Sequence, residues 1–484
     1  MKIVIIGAAP LGLGAAYRLN ELMNSGKAAS DIELVILEKE SCPGGLSRSV
    51  TDEKGFLWDM GGHITFNHNF PYYEKAVNES VKKWNQLVRN CQVDIGYMFH
   101  EDGLHLVPYP AQFAIPFFPN DVKKACLEDL RKRYQSVSNT VNLLQQILET
   151  PKNFQQWIFN NFGPTILDAF FRPYSEKVWT VELEEMNSVW VGTRVALLPQ
   201  EKLEQLCSLT EDELKKADFG WGPNKFFAFP TYGGTGSVWK AISDNLPKKW
   251  IEYNSNVTDI DAEQRLITYE HIEDGKMERR QITYDILINS SPIDQVIKFT
   301  KLCPELNLVH NKVFIIGLGM ELPMPEFVKQ FTWLYFPDSI VPFYRVTFLS
   351  KYGEVTPNNN KYWSILCECA RKIDDPITES EIRELTIKSL AMKSIIRPEK
   401  IVSVFSTVLS YGYPVPNVQR DSELTRAHMV LERNNIYSRG RFGGWKYEVS
   451  NQDHCFIQGK EIIDRIILNE PEKLYRTGLP LCRG

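Results

Sequence analysis

Two glycines and two histidines share eight residues in GGHITFNH (Gly61 to His68), a segment with neither helical nor strand periodicity. A glycine pair lets bare backbone approach a flat ligand closely, and a histidine beside it can hold or pass a proton there. The same residues also suit a loop histidine bonded to local backbone. Three arginines stand in unusual company: Arg172 in FFRPYSEKVW, Arg345 in YFPDSIVPFYRV and Arg441 at the head of RFGGWKYEVSNQDH. Arginine is ordinarily a solvated surface residue, but each of these sits among aromatic and apolar neighbours. A planar guanidinium so placed can grip a phosphate through two parallel hydrogen bonds.

Such groups need a scaffold, and the N-terminus supplies one. The apolar run IVII (residues 3 to 6) stops at Gly7 as a buried parallel strand should, and a helical pattern runs from Pro10 to about Met23. Between them lies GAAPLGLGAA (Gly7 to Ala16), in the strand-to-helix context that a dinucleotide fingerprint requires. Gly7 would make the tight turn, Gly12 would let helix pack on strand, and the helix N-terminus would face a pyrophosphate. Ala9 stands where the middle glycine is usual, adding a methyl at the closest approach of backbone to phosphate. Glu38 closes the next strand, IELVILEKE, where a carboxylate can accept bonds from a ribose diol, although strand-end glutamates are also common on surfaces. PGGLSRS (Pro43 to Ser49) then adds a second glycine turn, with Gly45 and Arg48 suited to the same pyrophosphate. Two phosphate-compatible loops on one βαβ unit favour FAD over a simple nicotinamide site.

The chain of 484 residues is too long for one core and implies two or three domains. A formal charge of -5 gives no reason to invoke nucleic acid, so an anionic ligand must be met by locally placed arginines. Nine scattered cysteines without zinc or redox spacing suggest reduced thiols in a cytosol. No apolar run reaches the length of a membrane span, and the opening MKIVIIGAAP is too short for a signal peptide. Residues 120 to 215 read as helical, with Phe154, Trp157, Ile158, Phe162, Ile166 and Phe170 at spacing that would line one helix face as core. Residues 250 to 300 and 311 to 370 read as strands, 376 to 398 as helix, and an amphipathic helix begins near residue 453.

The fingerprint, ILEKESCPGGLSRS, DMGGH, FPTYGGTGSVW and NQDHCF occur in the order found in glutathione-reductase-like FAD proteins, which include amine oxidases and UDP-galactopyranose mutases. With LVPYPAQ, FFRPYSEKVW, WGPNKFFAFP, YFPDSIVPFYRV and RFGGWKYEVSNQDH added, the chain resembles the eukaryotic-type UDP-galactopyranose mutases along most of its length. The resemblance implies an α/β fold: a Rossmann-like FAD-binding domain (1-85, 216-298, 436-484), a helical insertion (113-215) and a mainly antiparallel β-sheet domain (86-112, 299-435). It implies a redox-neutral isomerase that interconverts UDP-galactopyranose and UDP-galactofuranose through a covalent adduct between the sugar and N5 of reduced FAD, with NADPH or NADH as reductant. His63 would lie by the isoalloxazine with His68 farther off, and Arg172 and Arg345 would meet the diphosphate. Gly62, Val257 (near adenine), Arg441, Asn451 and Gln452 would join the fingerprint residues around the cofactor. Tyr109, Gln112, Asn224, Tyr344, Tyr413 and Tyr447 would hold the substrate. A cytoplasmic enzyme acting on a small UDP-sugar is expected, with no nucleic acid or membrane partner and self-association left open. Two other readings stand beside it: an FAD-dependent amine oxidase or desaturase, which calls for an apolar tunnel instead of paired arginines, and a nucleotide-sugar-binding homologue without catalysis. Departures in KVWTVELEEM and FNHNF leave another UDP-sugar open as substrate.

Overall fold

The structure is a computed structural model that describes residues 1–65, 68–100, 103–138, 151–192, 200–216 and 226–478. Strand β1 (Lys2–Ile6) is the centre of a five-stranded sheet in the order Ile436–Ser438, Ile286–Asn289, β1, β2 (Glu33–Leu37), Ile251–Glu252, with every pair parallel. Three separated stretches of chain therefore build one sheet. Its central strands are apolar without alternation because both faces are buried.

Helix α1 (Pro10–Asn24) follows β1, with Pro10 at its first turn, where the missing N–H costs nothing. It packs on the C-terminal helix (Gln452–Leu468) with backbone against backbone. A Cβ on Gly14 would lie 2.3 Å from the carbonyl oxygen of Phe456, and one on Gly459 would lie 2.1 Å from that of Leu11. Only glycine allows this approach, and it draws the first turns of both helices to the same end of the sheet.

The second layer is a seven-stranded sheet in the order Ile401–Leu409, Lys312–Glu321, Tyr362–Arg371, Arg345–Thr347, Trp333–Tyr335, Cys91–Asp94, Leu106–Pro108. All neighbours are antiparallel except Trp333–Tyr335 with Cys91–Asp94. One face buries Phe314, Ile316, Leu318, Val346 and Cys367 in a core shared with the Glu379–Met392 helix. The opposite face carries Val93, Ile315, Tyr335 and Leu366 and packs with the helical region. Side-chain alternation thus assigns Arg345 and its cross-strand partner Glu368 to this second face.

The helical region differs from its sequence pattern at one point. The stripe from Phe154 to Phe170 is buried core as expected, apart from half-buried Trp157, but it does not lie on one continuous helix. Gly163, at φ +90°, and Pro164 break the chain between Phe154–Phe162 and the helical run that leads into Arg172–Trp179. We expect Gly459→Ala, which forces the C-terminal helix off α1, to cost about 1–3 kcal/mol and to lower the thermal midpoint by several degrees in circular dichroism. An unchanged midpoint would refute the backbone-contact account of this packing.

Candidate functional site

The loop after β1 is built for a dinucleotide. Gly7 has φ +95°, and a Cβ there would meet Ser290 Oγ at 2.4 Å, so both conformation and space exclude other residues. A Cβ on Gly12 would lie 2.1 Å from the carbonyl oxygen of Gly7, which is the close helix-on-turn packing read from the sequence. Ala9 is the N-cap of α1 in extended backbone, and its methyl faces Gly45, whose own absent Cβ would sit 3.0 Å away. The second glycine turn thus makes room for the substituted first one. The amide of Gly44 bonds to the carbonyl of Ala8 (2.9 Å), and Arg48 Nη1 donates to the carbonyl of Gly45 (2.9 Å).

Glu38 is buried at the end of β2 and accepts from the amides of Ala8 (2.7 Å) and Glu40 (2.9 Å). Burial raises its proton affinity, and these two amides oppose that rise. The amide of Ser255 bonds to the carbonyl of Glu38 (2.8 Å), which brings the strand holding Val257 beside the same loop. At the far side Asn451 is the N-cap of the C-terminal helix, and Gln452 Oε1 accepts from the indole N–H of Trp239 (2.9 Å). Asp59, fully buried and pushed up to about 6 by burial, receives the hydroxyls of Ser49 (2.5 Å) and Thr235 (2.9 Å). It ties the hairpin beyond Arg48 to the GGTGSVW turn.

The glycine pair next to His63 answers to an ion pair. Gly61 has φ +133°, and a Cβ on it would meet Glu368 Oε1 at 3.3 Å and the His63 ring at 3.5 Å. A Cβ on Gly62 would meet Thr347 Oγ1 at 2.4 Å and both Arg345 Nε and Glu368 Oε2 at 3.3 Å. Any side chain here would push the turn off the sheet. Arg345 and Glu368 are cross-strand neighbours, joined from Nε to Oε2 and from Nη2 to Oε1 (2.7 Å). Tyr344 Oη donates to Glu368 Oε1 (3.1 Å) and lies 3.3 Å from Tyr413 Oη. Burial alone would raise Glu368, but the Arg345 guanidinium holds it below the usual carboxylate range.

His63 is half-buried with its Nδ1 enclosed, and burial of the ring pushes it down to about 4, with Arg345 and Arg441 adding to the fall and Glu368 opposing it. It is a neutral imidazole at neutral pH, a state its residue type alone does not settle. Its Nδ1 and the Thr347 hydroxyl are buried without a hydrogen-bond partner among the described residues.

Arg441 joins this cluster. Its guanidinium lies over the rings of Tyr413 (5.1 Å) and Tyr447 (5.7 Å), and Nη1 donates to Ser450 Oγ (3.2 Å). Tyr109, Tyr174 and Tyr335 form a second group of rings, with centroids 4.4 Å apart for Tyr109 and Tyr335 and 5.8 Å for Tyr174 and Tyr335. Both groups feel the Arg345 charge.

Arg172 is placed differently. It is bound by Asp168 (3.2 Å), Glu176 (3.1 Å), Glu184 (3.5 Å) and Gln155, at a half-buried position, and none of these belongs to the Arg345 cluster. His68 is also apart, its Nδ1 2.7 Å from Asp453 Oδ2 on the C-terminal helix. The Gln112 side chain and Asn224 lie outside the described residues.

Four residues that sequence reading did not single out complete the site: Glu368, Thr347, Tyr174 and Tyr335. Tyr174 and Tyr335 stand inside quoted motifs and were open to notice. Glu368 lies in an apolar strand, YWSILCECAR, and only sheet register reveals it.

These residues fit a flavin dinucleotide: a glycine cradle at a helix N-terminus, a buried carboxylate at the end of β2 where a ribose would lie, and unpartnered buried polar atoms where the ring would lie. The family of flavin containing amine oxidoreductases matches residues 12–306. Reduced UDP-galactopyranose mutase superposes with a TM-score of 0.84 at 35% identity, over 99% of this chain and 98% of that one. More distant structures share the fold alone. A protein named as a protoporphyrinogen oxidase, from Exiguobacterium sp. 255-15, gives TM-score 0.67 at 15% identity over 97% and 99% of the two chains. A CLA-producing fatty acid isomerase from P. acnes gives 0.58 at 16% over 96% and 98%. The cradle, the order of its elements and a full-length match at this identity place the chain in the UDP-galactopyranose mutase family of flavoenzymes, within the flavin containing amine oxidoreductases.

Proposed function

We propose that the protein is a redox-neutral mutase that interconverts UDP-galactopyranose and UDP-galactofuranose, works with reduced FAD, and takes electrons from NADPH or NADH. The observation that carries this reading is a pair of guanidinium groups, Arg345 and Arg441, set among tyrosines beside the glycine turn that would meet the flavin. An amine oxidase site would ask for apolar lining at that place. When bound, reduced flavin supplies the nucleophile towards the anomeric carbon.

The chain's own residues then manage the departing UDP. Charge grows on the diphosphate as the glycosidic bond breaks, so fixed cations stabilise the transition state more than the ground state. Arg345 is committed to Glu368 through Nε and Nη2, and its Nη1 edge, which makes no bond among the described residues, is the one offered to phosphate. Arg441 is held face-on by Tyr413 and Tyr447, which fixes its reach. Tyr413 and Tyr109 offer hydroxyl protons to acceptor oxygens of the diphosphate and sugar, Tyr344, whose proton goes to Glu368, offers its oxygen as an acceptor to a sugar hydroxyl, and neutral His63 offers a ring nitrogen without adding a charge. Arg172, held by its carboxylates, serves at the rim in this reading. Gln112 and Asn224 are kept as substrate residues, and Gly45, Arg48, Val257, Asn451 and Gln452 as cofactor residues.

Purified protein should be yellow, and chromatography should detect furanose product from UDP-galactose only after dithionite or NAD(P)H reduction. Equal turnover by the oxidised enzyme, or oxygen consumption with an amine, would reject the reading. Arg345→Ala should lower kcat/KM by about 10²–10³-fold, with Arg345→Lys recovering only part of it because an ammonium cannot bond as a fork. The depressed proton affinity of His63 also fixes a sign. The unfolded state takes up the proton first, so this residue's contribution to stability is present above about pH 6.5 and is lost towards about pH 4, up to about 3 kcal/mol. Denaturant titrations of His63→Gln should show a correspondingly shallower acid limb than wild type.

A further inference from the structure

The helix Arg172–Trp179 carries a lysine that the chemistry above does not use. Lys177 Nζ donates to the main-chain carbonyl of Phe336 (2.9 Å) and to that of Asp338. Both carbonyls belong to the connection 336–344, which joins the strands holding Tyr335 and Arg345. That connection is built firmly. The amide of Phe336 bonds to the carbonyl of Tyr344 (2.9 Å), Asp338 Oδ1 accepts from the amides of Ile340 (2.9 Å) and Val341 (3.2 Å), and Phe336 meets Phe343 edge-on at 4.8 Å.

Among the described residues no carboxylate lies within ion-pair distance of Lys177, and the buried carboxylate of Asp338 acts on it only from farther off. A part-buried ammonium whose only hydrogen bonds are to backbone carbonyls is costly, and an apolar side chain would pack more cheaply. What it gains is a fixed junction. One helical turn before it, Tyr174 leans on Tyr335 (5.8 Å) and Tyr109 (6.2 Å), and all three rings lie within the influence of Arg345 or its neighbours.

We propose that Lys177 is a positioning residue of the site: by bonding both carbonyls of the 336–344 connection, its ammonium seats the helix so that Tyr174 closes the tyrosine wall against Tyr335 and Tyr109. The proposal rests on the reading of that wall as a UDP-sugar site. Burial pushes Lys177 down to about 7; Asp338 on the connection and Cys369 on the Tyr362–Arg371 strand raise it, while Arg371 on that strand and Lys393 beyond the Glu379–Met392 helix lower it further. Loss of its proton weakens both bonds, because charge-assisted donors become neutral ones. The clamp is therefore tightest below neutrality and loosens as pH rises through about 7.

The test is calorimetric affinity for UDP-galactose in the oxidised FAD-loaded enzyme, where no turnover intervenes, from about pH 6 to about pH 8.5. The diphosphate diester keeps a constant charge over this range. Wild type should bind roughly fivefold more weakly at the upper end. Lys177→Arg, which stays protonated, should match wild type at the acid end within about twofold and lose the pH dependence. Lys177→Met should bind about tenfold more weakly at the acid end, with flavin content and circular dichroism unchanged. A wild-type affinity that stays constant with pH overturns the proposal whether or not either variant folds, and so does Lys177→Met binding as wild type does. Absence of UDP-galactose binding by wild type at every pH is a different failure: it removes the UDP-sugar reading itself, and this proposal with it.

Discussion

The carboxylate of Glu368 and the guanidinium of Arg345 share a buried row of the seven-stranded sheet, and much of the site's geometry answers to that pair. Removing one partner of such a pair typically costs about 3–5 kcal/mol, because the other charge is left in a medium that cannot solvate it. Here the pair also has a roof. The Gly61–Gly62 turn lies directly over it, closer than any side chain would permit, and His63 hangs from the same turn. Glu368 occupies one edge of the guanidinium and Tyr344 satisfies one of the carboxylate oxygens. Counting Arg345, Arg441, Glu368 and a neutral His63, the cluster carries a net charge of about one positive unit at neutral pH. That is enough to attract an anion while leaving the fold without a large uncompensated charge in its interior.

The turn can hold this position because the hairpin before it is anchored on both sides. Trp58 stacks between Phe56 and Phe405, each at 5.8 Å, and its ring fills the space that a side chain on Gly317 would need. One residue on, Asp59 binds Ser49 and Thr235, which belong to the dinucleotide half of the molecule. The short strand Leu57–Asp59 thus bonds to the cofactor side and packs on the sheet side, and the glycine turn follows immediately. A displacement of either half would be felt at His63 within a few residues of chain.

Features that depend on neighbours along the chain were legible in the sequence; those that depend on neighbours across the fold were not. Gly7, Gly12, Glu38 and the βαβ start were readable because a tight turn and a parallel strand impose local patterns. Gly459 is different: its need for a bare backbone comes from Leu11, more than four hundred residues away, so no local pattern marks it. Ala9 looked like a weakened fingerprint, yet its methyl rests against Gly45, a compensation visible only once the two turns meet. Arg172 was recognisable by motif, while its actual partners, Asp168 and Glu176, stand at the four-residue spacing that helix geometry favours for ion pairs. For His63 the residue type was evident and the protonation state was not, because burial depth decides it.

The tyrosines show how a site with so little net charge would, on the proposed function, still select an anion. Tyr344 and Tyr174 have their proton affinities raised well above the ordinary phenol value, and Tyr413 is pushed up to about 12, in each case chiefly by burial. Burial disfavours the phenolate more than it disfavours the phenol, so these hydroxyls stay protonated at any pH the fold tolerates. Tyr413 and Tyr174 can then donate a hydrogen bond to a ligand oxygen, while Tyr344 spends its proton on Glu368. A diphosphate and a hexose present many acceptor oxygens, and on the proposed function a wall of permanently protonated hydroxyls would meet them without the desolvation cost of further buried cations. The rings also hold the guanidinium of Arg441 by their faces, which leaves the N–H groups not bonded to Ser450 for a ligand. Aromatic content that reads in the sequence as ordinary core therefore does two things here: it lowers the local polarity that strengthens the Arg345–Glu368 attraction, and it supplies the donors that such a medium would otherwise lack.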